Sequence, residues 1–454
     1  MDNKEFVRKH LNDDVNKLAL SKFPEGVDKQ FVVRQVQARQ VLSKKLPSWA
    51  ENDELIFPKK LSLEQCSSEL TAKYKALLLS TNPHESPQQI SADSCILVDE
   101  KEIRVNPCRS VEKNGILVDL TGGMGVDTSF LSDNFDKTYY VEMQEELCDI
   151  ARHNFKILNK NIEVVNDNAE HFLTTCDEVD CIYLDPARRD EYGRKMVSLH
   201  DCSPDVAELQ DILFEKAKTV MVKLSPMLDI DIVKKELKNI KEIHIVAVRN
   251  ECKEILVILG HQTTDNGQQS SSITHGPQLI ATDLRENWNF SFTEDEEQNA
   301  EWTLADKVGR YLYEPGAAFM KAGCFKLLSQ KYNLDKLHRN SHLYTSDVLV
   351  PDFPGRIFEV INVVPFDKKA KKEITSRCQQ TTDNGQQTLS EDSSATQQLS
   401  NSATLKKASV ATRNFPLSAE ELKKNLGLQD GGDFYIFGTT MKGEKKVVVL
   451  AKKV

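Results

Sequence analysis

The sequence predicts an α/β protein: a Rossmann-like, seven-stranded sheet, preceded by a helical N-terminal region and followed by a small α+β C-terminal region. Three observations lead to this fold class. Short β-branched runs alternate with polar helical stretches between Ile116 and Leu259, helical spacing dominates the first hundred residues, and a helix and two strand-like runs end the chain. Its 454 residues are enough for two or three domains.

Helical periodicity marks the N-terminal region. Apolar residues recur at helical spacing in Phe31–Leu46 and in Leu61–Leu79. The prolines Pro47 and Pro58 interrupt the pattern between them. A Ser-x-x-Gln pattern that starts at Ser62 fits a helix-start capping box. We therefore predict a set of helices broken by short turns.

The middle of the chain contains the sheet. Its seven strand-like runs are ILVDL (116–120), TYYVE (138–142), IEVVN (162–166), VDCIYLD (179–185), TVMVKL (219–224), EIHIVAV (242–248) and ILVIL (255–259). Only RNECKE separates the last two runs, which is too short for a parallel crossover, so these two should form an antiparallel hairpin. Five parallel strands followed by a terminal hairpin indicate a methyltransferase-type sheet rather than a dinucleotide-binding one.

Composition excludes several classes of protein. The formal net charge is −10. The N-terminus MDNKEFVRKHLNDD alternates charges where a signal peptide would need an apolar core, so we expect a cytoplasmic protein without a membrane span. Ten cysteines occur without any CxxC pair, which predicts free thiols and no metal site. From Ile361 to Val454, fifteen Lys and Arg stand against ten Asp and Glu, so the C-terminal end is basic.

An octapeptide, QTTDNGQQ, occurs twice, at 262–269 and at 380–387, in Gln-rich and Ser-rich surroundings. The sequences that flank the two copies do not match, so inserted low-complexity linker explains the repeat better than a domain duplication does. The longer tract, from 379 to about 402, is predicted to be disordered.

The strongest motif is VDLTGGMGVD, residues 118–127, in which an apolar strand runs into a glycine-rich turn and a helix. Gly122, Gly123 and Gly125 let the backbone approach a ligand, and the helix that follows offers free N–H groups. A turn of this kind alone also fits a dinucleotide site or a structural tight turn.

Acidic residues at the ends of four successive strands narrow the choice. Asp119 ends the first strand and Glu142 the second, where a carboxylate would accept hydrogen bonds from a ribose diol. Asp167 follows the third strand and Asp185 ends the fourth. Each acid alone could be a solvated strand-end or helix-cap carboxylate. Together they favour a positively charged sulfonium cofactor and would repel a pyrophosphate.

Further residues complete the predicted cofactor site, which is for S-adenosylmethionine. Met143 follows Glu142 directly, while Asn168 and Ala169 would line the adenine ring beside Asp167, whose carboxylate would accept from the adenine amine. Methyl transfer needs mainly alignment of a nucleophilic N or O with the methyl carbon, so positioning can supply most of the rate.

The segment Asp185-Pro186-Ala187-Arg188 is the predicted reaction site, with Asp185, Pro186 and Arg188 as its catalytic residues. Arg188 and Arg189 fit either a bidentate phosphate clamp or ordinary loop charges. Lys223, near the end of the fifth strand, and Ser225, just after it, face the same crevice, where they either contact substrate or belong to a plain turn.

The acceptor atom is predicted to be nitrogen or oxygen. Methylation of pyrimidine C5 normally needs a cysteine nucleophile, and the loop after the fifth strand offers Ser225-Pro226 instead. Cys181 lies inside the fourth strand, where we expect it to be buried. An exocyclic amine or a hydroxyl fits better than carbon.

These motifs resemble class I S-adenosylmethionine-dependent methyltransferases, and in particular a bacterial group with an N-terminal helical region and C-terminal ferredoxin-like and THUMP-like domains. The blocks that carry the resemblance are LPSWAENDELIFPKKLSLEQCSSELTAKYKA (46–76), VDLTGGMGVDTSFL (118–131), YLDPARRD (183–190), YLYEPGAAFMKAG (311–323) and FPLSAEELKKNLGLQDGGDFYIF (415–437).

The resemblance implies a domain order. We expect a helical region at 1–95, the methyltransferase domain at 96–261, a polar linker at 262–300, a ferredoxin-like module at 301–350 and a THUMP-like domain at 351–454, interrupted by a disordered insertion at 379–405. THUMP-type domains elsewhere recognise RNA, especially tRNA, and the core is similar to RNA methyltransferases, so RNA is the implied partner.

The resemblance also implies cofactor contacts at Asp119, Thr121, Gly123, Gly125, Glu142 and Asp167, with Asp185 and Pro186 at the acceptor. One departure puts base stacking in doubt: many amino-methylating relatives have an aromatic residue after Asp-Pro-Pro, where this chain has Ala187-Arg188. Tyr192 or Tyr74 would then have to supply the ring.

Three hypotheses follow. In the first, the chain methylates RNA, and C-terminal lysines bind phosphates without reading sequence. In the second, it methylates a small molecule or a protein, and the C-terminal module is a lid or an oligomerisation surface. In the third, it is a non-catalytic RNA-binding protein, which the intact Gly123, Gly125, Glu142 and Asp185 argue against.

Overall fold

The structure is a computed structural model that describes residues 2–80, 97–98, 103–104, 115–188, 198–260, 276–367, 369–370, 373–374 and 405–454. The chain forms two compact units, Met1–Trp288 and Asn289–Val454. Residues 379–404 of the predicted insertion 379–405, both QTTDNGQQ copies and the residues Arg189 and Tyr192 lie outside the described residues. The predicted domain boundaries remain predictions.

Helices fill the N-terminal part of the first unit, as predicted. They are α1 (Asn3–Lys9), α2 (Val15–Leu20), α3 (Lys29–Leu42), α4 (Pro47–Ala50), α5 (Lys60–Gln65) and α6 (Glu69–Ser80). Asp14 and Asp28 cap α2 and α3 through their side chains. The predicted cap at Ser62 is wrong, because this residue lies inside α5, which begins at Lys60. A serine caps the next helix instead: the Ser68 hydroxyl, just before α6, accepts a hydrogen bond from the Thr71 N–H at 3.2 Å.

The predicted sheet is present and is longer than expected. Its strands are β3 (Ile116–Asp119), β4 (Lys137–Glu142), β5 (Ile162–Asn166), β6 (Val179–Leu184), β9 (Ala217–Leu224), β10 (Ile240–Val248), β11 (Glu251–Gly260), β12 (Gln278–Asp283) and β13 (Trp288–Phe292). The strand order is β13-β12-β10-β11-β9-β6-β3-β4-β5. The first five of these strands in the chain pair in parallel, and β11 lies antiparallel between β9 and β10. This confirms the Rossmann-like fold class with its terminal hairpin.

The hairpin turn is tighter than the spacing RNECKE suggests. Only Arg249 and Asn250 separate β10 from β11, and both have positive φ, 54° and 61°. Two-residue hairpin turns of this kind require left-handed backbone at both positions, where Asn is favoured. The Asp283 carboxylate accepts from both of their N–H groups, at 3.1 and 2.6 Å, and so holds the turn.

The two strands beyond the predicted seven come from the region that the sequence analysis assigned to a polar linker. In β12, Leu279, Ile280 and Ala281 are buried, and the strand pairs in parallel with β10. This apolar run is short, and the Gln-rich composition just before it hid the strand signal. The chain passes from the first unit to the second within β13.

The remaining helices of the first unit connect these strands. They are α7 (Val126–Leu131), α8 (Glu145–Ile157), α9 (Ala169–Thr175), α10 (Val206–Lys216) and α11 (Ile230–Glu236). Two short ladders, β1 (Leu97–Val98) with β2 (Ile103–Arg104) and β7 (Ala187–Arg188) with β8 (Cys202–Ser203), complete it. The N-terminal helices are part of this packing, because Ala76 and Leu79 of α6 contact the buried Leu117 and Tyr183 of the sheet.

The second unit is built on another sheet. Its elements are α12 (Glu294–Asn299), β14 (Tyr311–Pro315), α13 (Ala317–Ala322), α14 (Phe325–Tyr332), β15 (Asp335–Lys336), β16 (Tyr344–Ser346), β17 (Gly355–Pro365), β18 (Ser409–Arg413), α15 (Ala419–Leu426), β19 (Phe434–Met441) and β20 (Lys445–Lys453). The strand order is β15-β16-β14-β17-β20-β19-β18. Phe358, Phe437 and Val449 are fully buried on one side of it.

The end of the chain follows the sequence prediction of a helix and two strands. Ser418 and Glu421 form a capping box at the start of α15, and Gly427 ends it with φ of 72°. Gly443 makes the turn between β19 and β20, with φ of 73°. The two strands then pair antiparallel from Phe434 to Lys452.

Two further sequence predictions concern the cysteines and membrane-spanning helices. The seven cysteines within the described residues are free thiols, and Cys181 is buried in β6 as predicted. In the part of the chain that the structure describes, no helix has the length and apolar character needed to cross a membrane.

Candidate functional site

The predicted strand-end acids lie along one edge of the sheet of the first unit. The parallel strands β5, β4, β3 and β6 are consecutive neighbours, so their carboxyl ends meet at the same edge. Asp119 and Glu142 are the last residues of β3 and β4, and Asp167 and Asp185 come immediately after β5 and β6. Open α/β sheets bind ligands at this edge.

The glycine-rich turn needs glycine for reasons of space and conformation. A Cβ on Gly122 would lie 2.2 Å from the ring of Tyr140, which is fully buried beneath the turn. Gly123 and Gly125 have φ of 52° and 78°, and a Cβ on Gly125 would also meet Phe155 at 2.7 Å. The α7 helix starts directly after Gly125, so its first N–H groups lie beside the turn.

Glu142 ties the turn to the second strand. Its Oε2 accepts from the Gly123 N–H at 3.0 Å, and its Oε1 accepts from the Gln144 N–H at 2.9 Å. Each carboxylate oxygen keeps capacity for a further hydrogen bond, as a ribose diol requires. The neighbouring Met143 is 73% exposed, a large apolar side chain beside a polar edge. This pair suits the sugar and the face of a purine.

Asp119 is only 1% exposed. Burial raises the pKa of its carboxyl to about 7, although hydrogen bonds from Thr128 and Thr121 oppose the rise. The Thr128 hydroxyl donates at 2.5 Å and the Thr121 N–H at 3.0 Å. This carboxyl therefore changes charge near neutral pH, and a cation nearby would favour its ionised form.

Thr121 also links two predicted parts of the site. Its hydroxyl oxygen accepts from the Asp185 N–H at 2.6 Å. The bond fixes the loop after β6 to the glycine-rich turn after β3, so the cofactor loop and the predicted reaction loop are held together.

The residues after β5 are engaged with one another. His171 Nδ1 lies 2.6 Å from Asp167 Oδ2, and the pKa of this carboxyl is lowered by that hydrogen bond. The Asn168 side chain caps α9 by accepting from the His171 N–H at 2.7 Å, and Ala169 is 6% exposed. His171 was missed by the sequence reasoning, although its position four residues after Asp167 is a spacing that pairs side chains.

Asp185 forms an ion pair with Lys223 of β9. Burial would lower the pKa of Lys223, but the negative charges of Asp185, Asp127 and Glu254 raise it above its usual value. Two alternatives were open for Lys223, a substrate contact or a residue of a plain turn. The residue lies inside β9, and its ammonium group lies against Asp185. Ser225 follows β9 and accepts the Met227 N–H at 3.3 Å.

Pro186 precedes the short strand β7, and Arg188 is the last residue of that strand. The Pro186 side chain is half-buried, and the Arg188 backbone pairs with Cys202 in the β7–β8 ladder. The catalytic roles assigned to both residues remain predictions.

A buried ionic cluster lies beside Asp185, and the sequence reasoning missed most of it. Lys75 of α6 is fully buried, and its Nζ lies 2.8 Å from Glu254 Oε1 and 3.2 Å from Asp127 Oδ1. The Tyr183 hydroxyl also donates to Asp127, at 2.8 Å. A lysine within the apolar helical stretch LTAKYKALLL is the signal that could have revealed Lys75.

Tyr74 cannot act as the base-stacking ring in this structure. It is 7% exposed, and its hydroxyl lies 2.9 Å from Nδ1 of His244. Burial raises the pKa of the hydroxyl. Tyr74 and Lys75 are consecutive residues of α6 and therefore point in different directions from the helix axis. Both side chains are nevertheless buried.

One cluster within the described residues brings three possible metal-ligand atoms within 4.8 Å of one another: His200, Asp205 and Glu208. Asp205 caps α10 by accepting from the Glu208 N–H, and its other oxygen pairs with His200 at 2.8 Å. These contacts account for the cluster as a helix start.

The second unit has its own ionic cluster. Glu314 of β14 is 2% exposed and accepts from two arginines, Arg356 of β17 and Arg413 of β18. The Arg356 Nε lies 2.8 Å and the Arg413 Nη2 2.6 Å from the Glu314 oxygens. Both arginine side chains are about one-third exposed, at 33% and 34%. One buried carboxylate thus orients two accessible guanidinium groups.

Comparison with known proteins agrees with this architecture. Residues 311–354 match the model of a ferredoxin-like domain, and residues 386–453 match the model of a THUMP domain-like family. A crystal structure of a candidate methyltransferase from Porphyromonas gingivalis W83 is 28% identical, with a TM-score of 0.74, over 100% of this chain and 99% of that chain. A search of curated proteins found no match.

Two further solved structures match about a third of the chain. A candidate methyltransferase from Streptococcus mutans, in complex with S-adenosylhomocysteine, is 17% identical over 32% of this chain and 88% of that chain, with a TM-score of 0.25. An rRNA methylase from Streptococcus thermophilus is 17% identical over 33% and 88%, with a TM-score of 0.26. Matches at this level do not bear on function. The sheet topology and the full-length match show that the chain has the class I methyltransferase fold, and its C-terminal part matches ferredoxin-like and THUMP-like domain models.

Proposed function

We propose that this protein is an S-adenosylmethionine-dependent methyltransferase that acts on RNA, tRNA or rRNA, at an exocyclic amine or a hydroxyl. The observation that carries the proposal is the set of strand-end carboxylates, Asp119, Glu142, Asp167 and Asp185, at one edge of adjacent parallel strands beside a glycine-rich turn. The full-length likeness to a candidate methyltransferase supports it.

The residues present fit this cofactor. Four carboxyl groups at one edge suit a sulfonium cation and would repel a pyrophosphate. A Cβ on Gly123 would have only the Thr121 carbonyl oxygen within 4 Å, at 3.7 Å, so the turn has room for a ligand at this position. When bound, S-adenosylmethionine supplies a methyl group that is activated by the positive sulfur.

The chain's own residues would hold and orient the reactants. Glu142 would accept from the ribose hydroxyls, and Met143 would cover one face of the adenine. Asp185 would accept a hydrogen bond from the N–H or O–H of the methyl acceptor and so point its lone pair at the methyl carbon. Lys223, which pairs with Asp185, would keep this carboxylate in place.

RNA as the substrate is supported by the second unit. It contains the THUMP-like match and the basic end of the chain. Arg356 and Arg413, oriented by Glu314 and about one-third exposed, present N–H groups with the geometry that phosphate oxygens accept. We assign these two arginines as phosphate contacts.

Calorimetry tests the enzyme part of the proposal. The full chain should bind S-adenosylmethionine and S-adenosylhomocysteine, and Glu142→Ala should weaken binding of both by about 10- to 100-fold, since it removes the ribose acceptor and the bond to Gly123. An exposed carboxylate outside the site, Glu163→Ala, is the matched control. If the full chain binds neither compound, the methyltransferase proposal is wrong.

RNA binding tests the substrate. Affinity for bulk tRNA should fall as salt rises, and the double variant Arg356→Ala/Arg413→Ala should lower the slope of log affinity against log salt by about 2. Arg152→Ala, which removes an exposed charge from the first unit, should leave the slope unchanged. Cofactor binding without any RNA association would favour a small-molecule or protein substrate. Mass spectrometry of nucleosides from cells with and without the gene would identify the methylated atom.

A further inference from the structure

The N-terminal helices form one wall of the candidate site. Met124 and Val126, which flank Gly125, belong to the same buried apolar cluster as Leu42, Trp49 and other residues of these helices. The back of the glycine-rich turn is therefore packed against the N-terminal region, so that region contributes to the shape of the turn.

Hydrogen bonds repeat this connection. The Ser67 hydroxyl, just before α6, donates to Asp127 Oδ2 at 2.7 Å. Asn154 of α8 exchanges two hydrogen bonds with the Ile56 backbone, at 2.9 and 2.8 Å. The N-terminal region thus contacts both helices that follow the strands carrying Asp119 and Glu142.

Lys75 is the most costly residue of this contact. Its side chain has 0% exposure, and a buried ammonium group is destabilising unless it is paired and hydrogen-bonded. Its Nζ reaches Glu254 at 2.8 Å, Asp127 at 3.2 Å and the Ser67 hydroxyl at 3.1 Å. The ammonium group thus contacts two carboxylates of the sheet unit, Glu254 and Asp127, and the Ser67 hydroxyl, which itself donates to Asp127.

The same two carboxylates also act on Lys223. Asp127 and Glu254 both contribute to the electrostatic environment of the Lys223 ammonium group, which forms the ion pair with Asp185. Two lysines and three carboxylates, Lys75, Lys223, Asp127, Glu254 and Asp185, therefore form one group of charges with a net charge of −1. If Lys75 were neutral, Lys223 would be the one cation of this group, and Asp127 and Glu254 would compete with Asp185 for it.

We propose that Lys75 is a positioning residue for methyl transfer: by pairing with Asp127 and Glu254, it leaves Lys223 to hold Asp185 at the site. This inference rests on the proposed function. The N-terminal helical region is then a functional part of the methyltransferase unit, because it supplies Lys75. Without this charge, Lys223 would turn from Asp185 toward Asp127 and Glu254.

The test uses the full chain and S-adenosylhomocysteine, with affinity measured by calorimetry. Lys75→Met should weaken binding by about 10- to 100-fold, because Asp185 and the turn are displaced. Adding Glu254→Gln restores the net charge of the group, so the double variant should recover most of the affinity. Lys73→Met, on the same helix but with its ion pair to the half-buried Glu69, should bind like the wild type.

The outcomes are distinct. A wild-type chain that does not bind S-adenosylhomocysteine would overturn the proposed function and this inference with it. A wild-type chain that binds, together with a Lys75→Met variant that binds equally well, would overturn this inference alone. A double variant no better than Lys75→Met would show that Lys75 acts by packing, which also contradicts the proposal.

Folding is checked by circular dichroism for each variant. Should Lys75→Met not fold, Lys75→Gln, which keeps two N–H donors, takes its place in the same comparison with Glu254→Gln. Recovery of affinity by the second substitution then supports the proposal, and no recovery contradicts it.

Discussion

Each unit of the molecule contains a cluster of carboxylates and cations, but the two clusters differ in which charge is buried and in how far the cations are exposed. In the first unit, Lys75 is fully buried between Asp127 and Glu254. In the second, Glu314 is buried while Arg356 and Arg413 keep about one-third of their side chains in contact with solvent. The first cluster can act only on its neighbours inside the fold. The second leaves about one-third of each arginine side chain open to solvent and therefore to a ligand.

The difference follows from the chemistry of the cations. A lysine ammonium group is compact and can be enclosed by two carboxylates and a hydroxyl. A guanidinium group has five N–H donors in a plane, and one carboxylate cannot satisfy two such groups. The contrast therefore separates a cluster that fixes a site from one that presents charge, and the following substitutions test that separation.

The largest expected effect is on the buried cluster. Asp127→Ala should lower the free energy of unfolding of the first unit by about 3–5 kcal/mol, because Lys75 loses one of its two carboxylates in a dry environment. Urea unfolding followed by the fluorescence of the buried Trp49, in a Trp288→Phe/Trp302→Phe background, measures it. A loss below about 1 kcal/mol would mean that this cluster behaves like a surface pair.

The second effect compares two turn glycines, one in each unit. Gly122→Ala should weaken S-adenosylhomocysteine binding by about 10- to 100-fold, since overpacking against the Tyr140 ring costs about 1–3 kcal/mol. Gly443→Ala meets nothing within 4 Å and is strained only by its φ of 73°, so it should leave the affinity unchanged. Equal calorimetric affinities for both variants would contradict the proposed place of the ligand.

The third effect is on the cluster of the second unit, in which Glu314 pairs with Arg356 and Arg413. Glu314→Gln should cost about 1–2 kcal/mol of unfolding free energy in the second unit, less than Asp127→Ala in the first, because water can solvate the two arginines. Urea unfolding followed by Trp302 fluorescence, in a Trp49→Phe/Trp288→Phe background, measures it. A larger loss than for Asp127→Ala would reverse the comparison.

The smallest effect is a pH dependence in the first unit. The pKa of Asp119 is raised to about 7 by burial, so its carboxyl is protonated below that pH and ionised above it. Affinity for the cationic S-adenosylmethionine should therefore rise about tenfold from pH 6 to pH 8. Asp119→Asn should remove the rise, and S-adenosylhomocysteine, which lacks the sulfonium charge, should show less of it. Calorimetry at several pH values would contradict this if the affinities were flat.

The same raised pKa has a consequence for folding without a ligand. The unfolded chain ionises Asp119 near its ordinary value of 3.8, whereas the folded chain holds the proton up to about pH 7. The contribution of this group to stability should therefore fall as pH rises between these two values.

Most of the sheet and the order of its strand-end residues were predictable from local patterns. β-Branched runs, the short RNECKE spacing and the glycine motif identified the seven strands, the hairpin and the turn. The strands of 278–292 were not predicted, because a short apolar run beside a Gln-rich tract has no clear period. The roles of the site residues, such as Asp167 and Arg188, remain predictions.

The site was less predictable than the fold for a physical reason. Asp119, Glu142, Asp167 and Asp185 could be grouped because parallel strands bring their ends together whatever lies around them. Tyr74 could not be excluded as a stacking ring until its burial against His244 was known. For Lys223 the sequence left open a substrate contact or a plain turn, and its ion pair with Asp185 became known only from the structure.

The sequence by itself determined seven strands of the sheet, the glycine-rich turn and the acidic residues at the sheet edge, since these depend on local periodicity and on the geometry of a parallel sheet. Only the tertiary structure decided that Lys75, Asp127, Glu254 and Lys223 form one charged cluster beside the site. Contacts such as Lys75–Glu254 join residues 179 positions apart in the chain, and no local pattern specifies which buried charges will meet.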